Sequence, residues 1–243
     1  MIIRAKAWLW FFVATLILSA GRSEAATNEY YTSPKAKAVI DGLISSYGGA
    51  EKMKAIDRVK VVMQITSQNR TIRATFYQTA TKMRRDVAQV NLVEIYDGKE
   101  MIATVNGKRV PPKPESKDEL ANELKEGVFQ AALLDVLMNK DRHVVYRGEK
   151  SFDGKKYDVL ETANYKNELR EHYIDPESHR EIVRMRHKPT GIETSINEAF
   201  DEFKGVLFEK RTILKRVDGS VAGGMRVVEI SSDFDDSVFD LPQ

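Results

Sequence analysis

Val128–Met138 reads VFQAALLDVLM. It is the second half of a helix predicted to begin near Lys117, in which Leu120, Leu124, Val128, Ala131, Leu134 and Met138 recur at helical spacing. Phe129, Ala132, Leu133, Val136 and Leu137 fill the opposite side. A helix that is apolar nearly all round must be buried nearly all round. Strand patterns flank it on both sides, so the simplest arrangement is a curved antiparallel sheet wrapped on a helix, a container with a plug.

Working backwards from that segment, Ser116 with Glu119 reads as the capping box that opens the helix. Pro111, Pro112 and Pro114 make a stiff link before it. Upstream lies a meander of strands running from about Arg58 to Val105, broken by Asn69-Arg70, Asp97-Gly98 and Asn106-Gly107. The two Gly-containing pairs are tight-turn signals, because glycine accepts positive φ without steric cost. Earlier still, Ala36, Val39, Ile40, Leu43, Ile44 and Tyr47 mark one face of a surface helix. Ser33 is its N-cap, Pro34 its first residue, and Gly48-Gly49 its stop. A short helical turn is expected at Ala50–Ala55.

Beyond His143 the strand pattern resumes and continues to Ser231, with turns at Asp153-Gly154, Asp175-Pro176, Thr190-Gly191 and Gly205 and a glycine-rich loop at Asp218–Gly224. The total is about eleven strands at the spacing of a barrel or sandwich. Many alternate charge with bulk: Glu181, Val183, Met185 and His187 share one predicted face, Ile182, Arg184 and Arg186 the other. A sheet so charged is wet on one side.

The first residues have the form of an export signal. Arg4 and Lys6 precede an apolar run, Ala7–Ala20, and Ser23-Glu24-Ala25 offers a cleavage site. The run is shorter than the ~20 residues needed to span a bilayer. The expected division is a signal peptide at 1–25 and one domain at 26–243. Of 38 Lys+Arg and 36 Asp+Glu, the signal holds Arg4, Lys6, Arg22 and Glu24, which leaves 35 of each sign in the mature chain. A neutral chain has no global field to attract nucleic acid. With no cysteine there is no disulfide, thiolate nucleophile or lipidated N-terminus. The expectation is a monomer in the periplasm that is soluble and not itself a lipoprotein.

Catalytic motifs are missing. His143, His172, His179 and His187 are too scattered for a metal-ligand or acid–base motif. Ser45-Ser46-Tyr47-Gly48-Gly49 lacks the nucleophile elbow. GSVAGG at Gly219–Gly224 lies between strands and not before a helix, so it is not a phosphate cradle. The reading is therefore not an enzyme, with no catalytic residue, metal or cofactor.

Several segments in order resemble the outer-membrane lipoprotein-sorting, or LolA-like, superfamily. They are YGGAEKMKAI (Tyr47–Ile56), KMRRD (Lys82–Asp86), YDGKEM (Tyr96–Met101), YDVLET (Tyr157–Thr162), EHYIDPESH (Glu171–His179) and DDSVFDLP (Asp235–Pro242). The resemblance implies a mainly β fold with helices, an open antiparallel β-barrel with lid helices in its mouth. It implies a carrier that holds acyl chains of a lipid or lipidated protein and takes them toward the outer membrane between membrane-bound donor and acceptor proteins. A regulatory sensor of envelope lipid stress on the same barrel is the alternative, since fold does not fix function. By position, Arg84 matches the arginine that ties wall to lid, with a helix carbonyl or Asp135 as its partner. Two departures stand out: the proline usual before that arginine is absent, and Met101 replaces a tryptophan common among relatives.

A pocket for fluid chains gains from flexible apolar side chains. The expected lining is Met63, Ile65, Phe76, Met83, Met101 and Met185 on the strands and Phe129, Leu133 and Leu137 on the plug. Without cargo the plug buries its own side chains in the hollow; with cargo it must yield.

Overall fold

A computed structural model describes residues 33–67, 70–125, 144–163, 169–188 and 191–240. Two helices come first, α1 (Pro34–Ser46) and α2 (Ala50–Lys54). A meander follows: β1 (Arg58–Ser67), β2 (Arg70–Thr79), β3 (Met83–Val87), β4 (Leu92–Tyr96), β5 (Met101–Val105) and β6 (Lys108–Val110). Helix α3 (Pro114–Lys125) leads toward a second meander of β7 (Val144–Phe152), β8 (Lys155–Ala163), β9 (Leu169–Ile174), β10 (Glu181–Lys188), β11 (Gly191–Phe203), β12 (Val206–Lys215) and β13 (Val221–Ser231).

All thirteen strands form one sheet, in the order β6-β5-β4-β3-β2-β1-β13-β12-β11-β10-β9-β8-β7. The two meanders join where β1 pairs antiparallel with β13, and β6 and β7 are the edges of the sheet among the described residues. The barrel is not closed. The chain runs from β6 to β7 through α3 and residues 126–143; the latter include the apolar stretch Val128–Met138 expected to be a plug and lie outside the described residues.

Thirteen strands among the described residues stand against the expected eleven or so; the short β6 accounts for one of them, and a second local difference lengthens β13. Lys108–Val110 is too short for alternation to register, yet it pairs with β5 after the Asn106-Gly107 turn. The supposed loop at Asp218–Gly224 is half strand: Gly223 and Gly224 pair with Ser67 and Thr66 of β1, and a Cβ at Gly223 would overlap the Thr66 carbonyl oxygen. Those glycines allow two backbones to meet at the central seam. Residues Ala88–Val90, read as the end of a strand, form a 3-10 turn closed by Asn91 in the left-handed region.

The ends of α1 follow the sequence reading. Ser33 Oγ accepts from Ala36 N at 3.2 Å, and Pro34 opens the first turn. Gly48, with φ of 105°, turns the chain so closely past β12 that a Cβ there would strike the Gly205 carbonyl oxygen. For α3 the expected start near Lys117, with Ser116 as its cap, is three residues late. Ser116 and Lys117 N–H already bond back to Lys113 O, so Pro114 takes the first position, where its missing N–H costs nothing.

Register shows that both helices lie on one face of the sheet. Cross-strand partners run Met101, Tyr96, Met83, Gln78 and Val59 through the first meander. Across the seam the same face continues as Ile65, Met225, Thr212 and Asn197, then Ser195, Arg184, His172, Leu160 and Tyr146. On this inner face Val39, Ile40, Leu43 and Tyr47 of α1 pack on Val144, Leu160, Ile174 and Val206. Leu120 of α3, fully buried, packs with Ala121 and Leu124 on Phe76, Met83, Tyr96 and Met101. The outer face has its own cluster of Tyr157, Val159, Tyr173 and Val183. It also carries the C-terminal segment, whose Phe234 meets Tyr77 edge-on at 5.5 Å between ring centroids.

Candidate functional site

Between the patches covered by α1 and α3, the inner face carries a hollow of about 180 Å³. One wall is apolar: Val59, Val61 and Met63 of β1, Phe76 of β2, and Met225, Val227 and Ile230 of β13. Along β1 these positions alternate with outward-facing residues as a pleated strand requires, and in β13 a bulge at Val228 sets Val227 and Ile230 three residues apart. The other wall is polar, with Arg184, Ser195, Asn197, Glu209 and Thr212. The hollow is therefore amphipathic, greasy over the central seam and hydrogen-bonding toward β10–β12.

The polar wall belongs to a network that two bulges assemble. In β10, Glu181 opposes Ile174 and Val183 opposes Tyr173, so Ile182 is the extra residue. A bulge bends the alternation by one step. Glu181 thus joins Arg184 on the inner face, while Val183 and Met185 look outward. In β12, Thr212 pairs with Asn197 and Glu209 with Phe200, and the irregularity between them brings Glu209 to the hollow with Thr212.

Arg184 grips Glu181 with two hydrogen bonds of 2.7 Å. His172, wholly buried, lies 2.9 Å from Glu181 Oε1 through Nδ1 and 2.8 Å from Thr162 Oγ1 through Nε2. Burial holds His172 below its usual pKa, so it is neutral at pH 7. The ionised carboxylate can only accept, which makes Nδ1 the protonated nitrogen and Nε2 the acceptor of the threonine hydroxyl. For Glu181 burial works upward, but Arg184 and then His172 outweigh it and hold the carboxyl down to about 2.

Glu209 has weaker support. Tyr47 Oη donates to it at 3.2 Å, and Arg184 Nη2 stands 3.9 Å away, already committed to Glu181. Burial, followed by the charge of Glu181 against the opposing pull of Arg184, leaves the Glu209 carboxyl above its ordinary value. A raised folded-state pKa means that ionisation costs the fold stability as pH rises through the titration. Glu209→Gln should therefore melt higher than the parent at pH 8, with the gain vanishing near pH 4, as thermal scans at the two pH values will show. A gain that is equal at both would contradict the assignment.

The residues expected from sequence divide into groups. Met63 and Phe76 line the hollow. Ile65 is on the same face, opposite Met225 and Ile72. Met83 and Met101 are also on that face, but buried beneath Leu120. Met185 is a correction: it sits in the outer cluster beside Tyr173 and Val183, because the β10 bulge reversed the face predicted for its strand. Arg84 is a second correction. It pairs across the sheet with Tyr77 and Ile95, on the face away from α3. Its guanidinium bonds Asp86 at 2.6 Å and 3.0 Å and the Val238 carbonyl at 2.5 Å, so it ties the wall to the C-terminal segment and not to the lid. Its neighbour Arg85 faces inward, paired with Glu94 at 2.7 Å. Phe129, Leu133, Asp135 and Leu137 lie outside the described residues.

Sequence reading missed His172, Glu181, Arg184 and Glu209 as a unit. The one available signal was the density of ionisable residues on predicted strands, which cannot say which of them meet. Among the described residues, no group of three His, Asp or Glu side chains is placed to hold a metal ion.

The described residues thus define a class of architecture: an open antiparallel sheet with helices and an amphipathic hollow on one face. Comparison with solved structures gives the fold its name. The chain is similar to a DUF1329 family protein from Desulfovibrio piger, with 13% identity over 84% of this chain and 96% of the other at a TM-score of 0.53. A LolA superfamily protein from Nitrosomonas europaea matches with 15% identity over 80% and 96%, at 0.52. A domain described as outer-membrane lipoprotein-sorting, from Vibrio parahaemolyticus, matches with 9% identity over 84% and 97%, at 0.51. At such identities the likeness is one of fold, and that fold is LolA-like. No family model and no curated protein matches the sequence.

Proposed function

We propose that the protein is a periplasmic carrier that binds an acyl chain of a lipid or lipidated protein on the inner face of the sheet, under α3, and is not an enzyme. The observation that carries this reading is the apolar wall over the β1–β13 seam, lined by Met63, Phe76, Met225 and Val227 and, among the described residues, lying between the patches covered by α1 and α3. The lipoprotein-sorting description of one structural neighbour and the export signal in the sequence point the same way.

A hollow of about 180 Å³ is smaller than the ~300–1,000 Å³ typical of sites for drug-sized ligands. A long chain must therefore extend under α3, onto Met83, Tyr96 and Met101, displacing Leu120 and Leu124. Burial of an acyl chain gains ~0.8 kcal/mol per CH₂, on the order of 10 kcal/mol for sixteen carbons. Re-exposing two leucines returns roughly 3–6 kcal/mol of that. Affinity becomes a difference between two burials, low enough for a guest to be handed on. The polar wall at Arg184, Asn197 and Glu209 gives the hydrogen-bonding end of an amphipathic guest somewhere to rest.

Native mass spectrometry of protein taken from the periplasm should show a bound lipid. In vitro, Met63→Asp should weaken binding of a fluorescent acyl probe by about tenfold or more, because a carboxylate in the apolar wall must lose its hydration when the chain arrives. Protein that carries no lipid, together with probe binding unchanged by Met63→Asp, would overturn the reading.

A further inference from the structure

Antiparallel order gives the sheet two ends. At one are the connections β1–β2, β3–β4, β5–β6, β8–β9, β10–β11 and β12–β13; at the other are β2–β3, β4–β5, β7–β8, β9–β10 and β11–β12. Of the eight exposed large hydrophobic residues among those described, six lie within three residues of a connection at the first end: Ile72, Val90, Leu169, Ile192, Val217 and Val221. A seventh, Met225, faces the hollow and joins the rim to its apolar wall. The eighth, Val228, lies toward the other terminus of β13, three residues from Ser231.

Charge divides along the same axis. Exposed arginines and lysines crowd the first end, with Arg70, Arg73, Lys108, Arg109 and Arg216. The acids near them are committed: Asp218 accepts from Ser220, and Glu193 pairs with Lys188. At the second end Asp97, Glu100, Asp153, Glu177 and Glu202 are exposed beside comparable numbers of lysines. A chain with balanced charge outside its signal segment thus carries, on one rim, an excess of exposed cations over acids together with most of its exposed large apolar side chains among the described residues. Valines and isoleucines at hairpin tips, ringed by arginine and lysine, match a membrane interface in both respects, the apolar tips entering the headgroup region and the cations meeting lipid phosphates.

We infer that this rim is a docking surface for an anionic lipid bilayer. The inference goes beyond the carrier reading and does not require it. A flat bilayer suits the arrangement, since the exposed apolar side chains among the described residues are spread singly over several hairpins.

The test is co-sedimentation of the protein with vesicles of phosphatidylcholine containing phosphatidylglycerol, against vesicles of phosphatidylcholine alone. Binding to the anionic vesicles, weakened by added salt, is expected. Val217→Ser with Val221→Ser, and separately Arg70→Glu with Arg216→Glu, should each reduce it by at least about tenfold. Lys99→Glu with Lys156→Glu, at the far end, should leave it nearly unchanged. All six positions are exposed, so thermal scans should show intact folds. Acyl-probe binding in the same variants stays at the parental level, which separates the rim from the hollow. Failure to sediment with anionic vesicles, equal sedimentation with both kinds, or equal losses at the two ends would each overturn the inference, whatever the fate of the carrier reading.

Discussion

Glu181→Ala should be the most destabilising substitution considered, costing on the order of 3–5 kcal/mol and lowering the melting temperature by roughly 6–20 °C. Glu181 is almost wholly buried and holds three groups at once: the Arg184 guanidinium, the His172 Nδ1–H and, through its own backbone carbonyl, the Asn197 amide. Truncating it leaves a buried cation with only Glu209, 3.9 Å away, as a counter-charge. It also strands the imidazole N–H. Breaking such a pair costs more than never having built it, because the remaining charge keeps its desolvation penalty.

The acid limb of the stability curve gives a second readout. A carboxyl at about 2 in the folded protein, against 4.5 as the reference value, contributes roughly 3 kcal/mol that is fully present above pH 4.5 and lost as pH falls toward 2. His172, depressed by burial, adds a loss that begins below its reference value of 6.5, since the unfolded chain takes up the proton first. Glu209, raised, works in the opposite direction. In Glu181→Ala the limb between pH 4.5 and 2 should flatten. A variant melting within about 2 °C of the parent at pH 7 would show that the network is ornamental.

Leu120→Ala separates a lid from an ordinary core helix by opposite signs. Leu120 is fully buried on Met83, Tyr96 and Met101, so truncation should cost about 2–4 kcal/mol of stability. If α3 competes with a guest for those side chains, the same change weakens the competitor and raises acyl-probe affinity, by about tenfold for each 1.4 kcal/mol removed from closure. A core helix without that role gives a stability loss with unchanged or weaker binding. Paired thermal scans and probe titrations decide between them, and a fall in both would remove the competition model.

Local pattern was a good guide wherever the cause of structure is local. The periodicity from Ala36 to Tyr47, with Ser33 and Pro34 ahead and Gly48 behind, places α1 within a residue of its observed ends. The Asn106-Gly107 and Asp153-Gly154 pairs make the turns their chemistry demands, with positive φ at all four residues. Several strands, including Leu92–Tyr96 and Val144–Phe152, match their expected spans. Errors fell where one residue changes a long-range outcome. Ile182 reverses the apparent faces of β10, carrying Met185 out of the cavity lining and Glu181 into the inner network. The Lys82–Asp86 motif placed an arginine correctly on a strand, but its register turned Arg84 outward and Arg85 inward.

The sequence by itself determined that this chain folds as many short antiparallel strands with an amphipathic helix before them and a second helix between, because capping, turn chemistry and periodicity act over a few residues. Only the tertiary structure decided which side of the sheet is inside, which charges share a buried network, and where the apolar wall of the hollow lies between α1 and α3. Alternation labels two faces of a strand without saying which one the helices will cover, and a single bulge, set by pairing with a partner distant in sequence, exchanges the labels.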